Sequence, residues 1–422
     1  AIGEQSLTSV TTGSANTAVG RLSLKTVSTG VNNIAVGYEA LKTNNGDANV
    51  AIGYQALLVN TTGASNIAIG STALGATTTG VRNIAIGSNA LDLQDTENDN
   101  IAIGYNAMTT DNQGGSSNLA IGNYALDALT SGDENVAIGQ NAAGALTTGS
   151  SNTAVGATAL GGADVTGNFN TAIGHNAMDA NTSGYSNTAV GKDALGANTT
   201  GADNTAVGQG ALLVNTTGDT NVAIGHDALL ANTTANQNIA IGVAALAANT
   251  TGARNIAIGH SALDACDTET DNIAIGFEAM TTNNAGGVDN IAIGTYAMDA
   301  LTSGDYNIAI GSAALTDATT AVRNIGIGRN ALTNLVNGFD NTAVGEKALQ
   351  TTTEGQYNTA FVYYALAACT NGDDNVAVGA ESLGALTEGL KNTGLGHLAG
   401  VGVTTGDNNC LVGYAAGRAT AP

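Results

Sequence analysis

The chain of 422 residues contains no tryptophan, one proline and three cysteines, and only 4% of it is aromatic. Cys266, Cys369 and Cys410 are too few for a disulfide framework and show no CxxC or metal-ligand spacing. Charge is sparse and one-sided, with 11% charged residues, 34 acids against 11 bases and a net charge of −23. That balance argues against duplex nucleic acid and anionic membranes as partners. No apolar run approaches the roughly 18 residues of a membrane helix, so no membrane insertion is expected of this segment, and the signal-peptide pattern is missing. The chain is nevertheless 43% hydrophobic, mostly Ala, Ile, Val and Leu, and so is no disordered acidic tail. That apolar surface has to be buried.

What is abundant is repetition. An Asn-x-Ala-x-Gly motif recurs with its glycine at Gly3, Gly20, Gly37, Gly53, Gly70, Gly87 and Gly104, and continues to Gly379, Gly396 and Gly413. The period is 17, with four departures of one residue, and there are 25 copies when Val362, standing where glycine is expected, is counted. A longer repeat lies above this one, because Asp95–Gly104 returns 172 residues later as Asp267–Gly276. The whole of residues 1–422 reads as one continuous repeat array, with 392–422 as atypical terminal coils: Gly400 and Gly417 replace the usual Leu, and Gly394 the motif alanine.

Each unit alternates branched residue, alanine and branched residue, as in Ile67-Ala68-Ile69, which fits a short strand better than a helix. Thr61-Thr62-Gly63 and Thr250-Thr251-Gly252 exemplify a turn in which glycine is expected to supply positive φ, and a second corner is expected at the motif glycine. Two strands and two turns per unit cannot enclose an independent core, so neighbours must stack. The predicted fold is all-β, a parallel β-solenoid of about 25 coils of 17 residues, forming a rod roughly 115 Å long at strand spacing.

Stacking turns like positions into ladders. The motif asparagine, for example Asn49, Asn66, Asn83, Asn100, Asn255 and Asn272, is expected to form a structural amide ladder bonded to backbone at a turn. In the strand, branched residues and alanine lie on opposite faces and neither face is polar. Two-sided burial is therefore expected, with branched residues and Leu57, Leu74 and Leu195 inside, and the smooth Ala/Gly face covered by further chains, most simply in a homotrimer.

Asn-Thr-Ala-Val-Gly and Asn-Ile-Ala-Ile-Gly resemble the repeat motif of trimeric autotransporter adhesin heads, which is also seen in phage tail-fibre rods. The resemblance covers essentially all of the chain. It implies a left-handed parallel β-roll with three chains around one axis, exposed on a cell surface or virion and used for attachment to a receptor.

No constellation of unlike residues points to catalysis, and no enzymatic activity or cofactor is expected. The position after the motif glycine is the most varied, holding Tyr38, Tyr54, Tyr105, His175, His226, His260, Phe277, Tyr363 and His397. It reads as a solvated outer ladder, and its aromatic members are candidate receptor contacts. The histidines stand too far apart in one chain to share a metal ion. Acids before the motif asparagine, as in Asp133-Glu134, Asp203 and Asp373-Asp374, admit calcium but read first as a soluble edge. Repeated Thr-Thr pairs raise ice binding, and sequons at Asn198 and Asn249 recur at the same place. A shaft for attachment leads, a self-polymerising extracellular filament built by end-to-end stacking is second, and an ice-binding solenoid third.

Overall fold

The computed structural model describes residues 1–93, 95–110, 114–283 and 285–418. The chain forms two compact units, Ala1–Thr217 and Gly218–Pro422. The first carries twelve strands, β1 (Thr17–Val19) to β12 (Thr205–Val207), and the second twelve more, β13 (Val222–Ile224) to β24 (Cys410–Val412). Within each unit every strand pairs in parallel with the next in sequence and in strict register, as in Ile67↔Ile84, Ala68↔Ala85 and Ile69↔Ile86, or Ile239↔Ile256, Ala240↔Ala257 and Ile241↔Ile258. Twenty-four parallel strands wound at the repeat period make the expected all-β solenoid, with no helix among the described residues. The copy at Gly3 adds only a bridge from Ile2 to Val19.

Each coil has one regular three-residue strand instead of the two expected. After the strand the backbone alternates in hand: Gln55 (φ 52°) and Leu57 (φ 50°) are left-handed, and so is Ser65 (φ 60°) just before the motif asparagine. A residue of this hand flips its peptide, so successive amides reach opposite neighbours. Gln55 donates its N–H to Tyr38 O on one side and Leu57 to Ala73 O on the other, each at 2.9 Å. The left-handed region costs a non-glycine residue roughly 1–2 kcal/mol, and these coil-to-coil bonds offset it while satisfying backbone that no strand ladder serves.

The strand presents the opposite face inward from the one expected. Ala68, Ala73 and Leu74 are fully buried, whereas Ile67 is half-buried and Ile69 exposed. Volume decides this. The left-handed leucine reaches across the coil toward the strand, and only a methyl fits opposite it. Gly326, which replaces the strand alanine, shows the clearance, since a Cβ there would meet Leu315 Cδ1 at 2.4 Å. In the final coils the partition inverts: Leu411 takes the alanine position, and Gly400 and Gly417 take the leucine positions, where an added Cβ would meet Leu411 at 2.8 and 2.7 Å. Residues 419–422 of that terminal segment lie outside the described residues.

Two glycine positions have different reasons. The motif glycine, Gly70 for instance, sits at φ +138° with an added Cβ 2.3 Å from the carbonyl oxygen of Gly87. The Thr-Thr-Gly glycine does not adopt positive φ, contrary to expectation. Gly63 is required by crowding instead, for its Cβ would lie 2.3 Å from Asn60 Oδ1 and 2.4 Å from Gly80 O.

Candidate functional site

The asparagine ladder forms as expected and is the best-satisfied polar feature of the fold. Asn66 donates its backbone N–H to Asn49 Oδ1 at 2.9 Å and its Nδ2 to Gly80 O at 2.8 Å. Asn83 repeats both bonds to Asn66 and to Glu97 O, Asn100 bonds to Asn83 and to Gly115 O, and Asn255 and Asn272 do the same in the second unit. Each side chain thus ties the strand start of one coil to the turn of the next, fully buried.

A second buried asparagine ladder runs seven residues after the motif glycine. Asn198 Nδ2 donates to Asn181 Oδ1 at 2.9 Å and to Gly201 O at 3.0 Å, and Asn215 and Asn249 continue the pattern. The sequons at Asn198 and Asn249 therefore have their amides in the interior, where the folded chain cannot be glycosylated. Where a run of asparagines ends the last Oδ1 has no partner, at Asn60, Asn249 and Asn283. Apolar residues hold the column elsewhere, among them Leu129, Cys266, Leu301 and Cys369, all buried. Burial pushes the Cys369 thiol up to about 11 and the Cys266 thiol higher still. Cys410 is exposed.

Tyr38, Tyr54, Tyr105, His175, His226, His260, Phe277 and Tyr363 all lie exposed on the outer edge after the motif glycine, and so does His397. They are not gathered into one site. Tyr38 stacks on Tyr54 and His260 on Phe277, each at 5.4 Å between ring centres. Arg21 lies over Tyr38 and pairs with Glu4 at 3.1 Å, extending that ladder with charge. Tyr105 meets Tyr124 edge-on, and His226 Nδ1 stands 3.1 Å from Asp227. Among the described residues no three His, Cys, Asp or Glu side chains converge as a metal site would require.

The acidic turn has its own bonding. Asp47, Asp133 and Asp373 each accept a backbone N–H from the neighbouring coil through Oδ1, from Val31, Ser116 and Gln356, at 2.8 to 2.9 Å. One residue further on, the Arg82, Arg254 and Arg323 guanidiniums beside Asp99, Asp271 and Asp340 hold those carboxyls below the usual range. Glu97 and Glu269, related by the longer repeat, replace the turn glycine and are buried. Glu269 accepts the N–H groups of Asp267, Thr268 and Gly286 at 2.8, 3.0 and 2.9 Å, a small anion nest closed by its own chain. The first hydroxyl of the Thr-Thr pair is also engaged, Thr61 and Thr199 donating to Thr78 O and Thr216 O at 2.9 and 3.0 Å.

An open groove of about 380 Å³ lies between the outer edges of successive coils in the second unit, lined by Tyr363, Tyr364, Ala367, Glu381, Gly384, Ala385 and Val401. Tyr363 and Tyr364 pack with ring centres 4.3 Å apart, and Lys347 Nζ donates to Tyr364 Oη at 2.6 Å while lying over the same ring. Burial, followed by the neighbouring Tyr364, raises the Tyr363 phenol above its usual range. No family model matches the chain and no curated protein does so either.

Proposed function

We propose that this chain is a non-enzymatic structural solenoid, a surface-exposed shaft used for attachment, whose outward branched face is covered by further copies of itself. The carrying observation is that face. Ile52, Ile69, Ile138, Ile173, Ile224, Ile241 and Ile310 each stand 36–40% exposed in a single chain, in a column that is apolar at every third strand position, beside a first-position column that is Thr in eight of the 24 strands, among them the consecutive Thr153, Thr171, Thr188 and Thr205. Over the twelve strands of one unit the strip measures roughly 600 Å² at ordinary strand dimensions, the upper end of what monomers leave uncovered. A flat, regular apolar strip is best covered by an identical strip, and a trimer around the strips buries all three at once. The face is the branched one, so the argument for further copies survives the reversal of which side is inside. The resemblance to adhesin-head and tail-fibre repeats supports an extracellular, cell-surface or virion setting and a receptor as partner.

Light scattering on the purified chain, with negative-stain images of the same sample, tests this. A discrete species near three times the 41.4 kDa chain mass is expected. A stable monomer overturns the reading, and open-ended filaments favour the polymer instead.

A further inference from the structure

The coil carrying β21 (Thr359–Phe361) departs from its neighbours in several ways at one place. Its motif glycine is replaced by Val362 at φ 87°, where Gly345 and Gly379 on either side hold 132°. A β-branched residue at positive φ is a strained outlier, and strain of this kind persists where surrounding structure or function requires it. Phe361, Tyr363 and Tyr364 flank it, in a chain with only 11 Tyr and 4 Phe. The groove opens beside these residues, and the small residues Ala367, Gly384 and Ala385 help to line it. Gly384 is not held by a special φ, and a Cβ there would meet nothing nearer than Glu381 O at 3.1 Å. Its smallness keeps space open rather than turning the chain.

We propose that this groove binds a saccharide, with the apolar face of a pyranose ring against Tyr364 and the small lining residues, and Glu381 accepting a hydrogen bond from a ring hydroxyl. The chemistry matches the lining part by part. A pyranose has one face of axial C–H groups and a rim of O–H donors. The groove offers an aromatic side chain, small apolar lining residues and an exposed carboxylate that only accepts. Lys347, bonded to Tyr364 Oη, fixes the ring's orientation. Its charge over the same ring opposes a cationic ligand, which would otherwise compete for an aromatic side chain beside a carboxylate. The proposal deepens the attachment reading by giving one coil a ligand class, and it rests on that reading only for its biological setting. The mass measurement tests the shaft separately, so either can fail alone.

The experiment is saturation-transfer NMR on the full chain with methyl pyranosides of glucose, galactose, mannose and N-acetylglucosamine, with choline as the cationic probe. Signal from axial ring protons of at least one pyranoside is expected, with affinity lowered about tenfold or more in Tyr364→Ala and abolished in Gly384→Leu, which fills the groove. Tyr185→Ala, an exposed tyrosine far along the chain and outside the column after the motif glycine, should leave binding unchanged, and circular dichroism checks that each variant keeps its fold. Absence of transfer to every pyranoside overturns the proposal. So does choline binding alone, or pyranoside binding that survives both groove variants.

Discussion

The backbone N–H of Asn66 is bonded to Oδ1 of Asn49 at 2.9 Å, and the Asn66 amide nitrogen reaches the Gly80 carbonyl at 2.8 Å. Because Asn66 Oδ1 in turn accepts the Asn83 N–H at 2.9 Å, this one side chain is donor and acceptor at once, in a place that water does not reach. Asn66→Asp keeps the shape, removes the donor and buries a negative charge against a carbonyl oxygen. A loss of about 2–4 kcal/mol is expected at neutral pH, read as a lower thermal midpoint and faster amide exchange around Asn66 and Asn83. Acid should restore part of it, because the protonated carboxyl donates again. A neutral variant with unchanged exchange would mean that the amide bonds do not hold the coils.

The second ladder is interrupted once between matching ends. Asn249 Oδ1 has no partner because the next coil holds Cys266, and the coil after that holds Asn283. Cys266→Asn bridges the gap, offering Nδ2 to Asn249 and Oδ1 to Asn283. A stabilisation of about 1 kcal/mol is expected, measured as a raised denaturant midpoint at unchanged slope. Destabilisation would show that the sulfur's packing outweighs the completed ladder.

Cys266 and Cys369 are buried and their thiols are pushed up in pKa, the latter to about 11. Neither should react with a thiolate-dependent reagent in the folded chain at mildly alkaline pH. At most one thiol, Cys410, should titrate natively, and all three after denaturation. Two or more fast native thiols would contradict the interior placement of the column.

Burial pushes the carboxyls of Asp92, Asp127, Asp264 and Asp299 above the ordinary 3.8. The folded chain then binds protons more tightly than the unfolded one, so through these groups stability rises as pH falls from neutrality toward 3.8. The lowered carboxyls of Asp99, Asp271 and Asp340 act the other way, their contribution being present above 3.8 and lost below it, but exposed pairs contribute little. Relief of the −23 net charge adds to the first effect. The thermal midpoint should therefore rise as pH falls from neutrality toward the ordinary carboxyl range, before acid unfolding sets in. A midpoint that falls over that interval refutes the assignment.

The solenoid, its period and the first asparagine ladder were legible because stacking makes sequence period and spatial neighbourhood the same thing. Asn181, Asn198, Asn215, Asn232 and Asn249 carry the same 17-residue signal, but the Thr-Ser after Asn181 and the Thr-Thr after the others make them resemble surface sequons. The facing of the strand was misread because alternation alone cannot say which side is inside. Leu57 decides it, and only through a left-handed φ of 50° that leucine rarely adopts and no pattern announces. Gly63 shows the same limit from another side: the residue type was right, but its reason is the nearness of Asn60 and Gly80 rather than a turn angle. The residues after the motif glycine do lie exposed, and one of them, Tyr363, lines a groove with partners from the next coils that no linear motif joins.

The central claim is that the outward Ile and Val columns pack against the same columns of other copies. Ile241→Cys in a Cys410→Ser background places a thiol on that face in the second unit, and Thr251→Cys places one in an exposed turn as a control. Mild oxidation or a short bis-maleimide should link Ile241→Cys chains to one another in high yield on a denaturing gel while Thr251→Cys chains stay single. Ile241→Cys chains that stay single and label freely with a monofunctional maleimide would contradict the account.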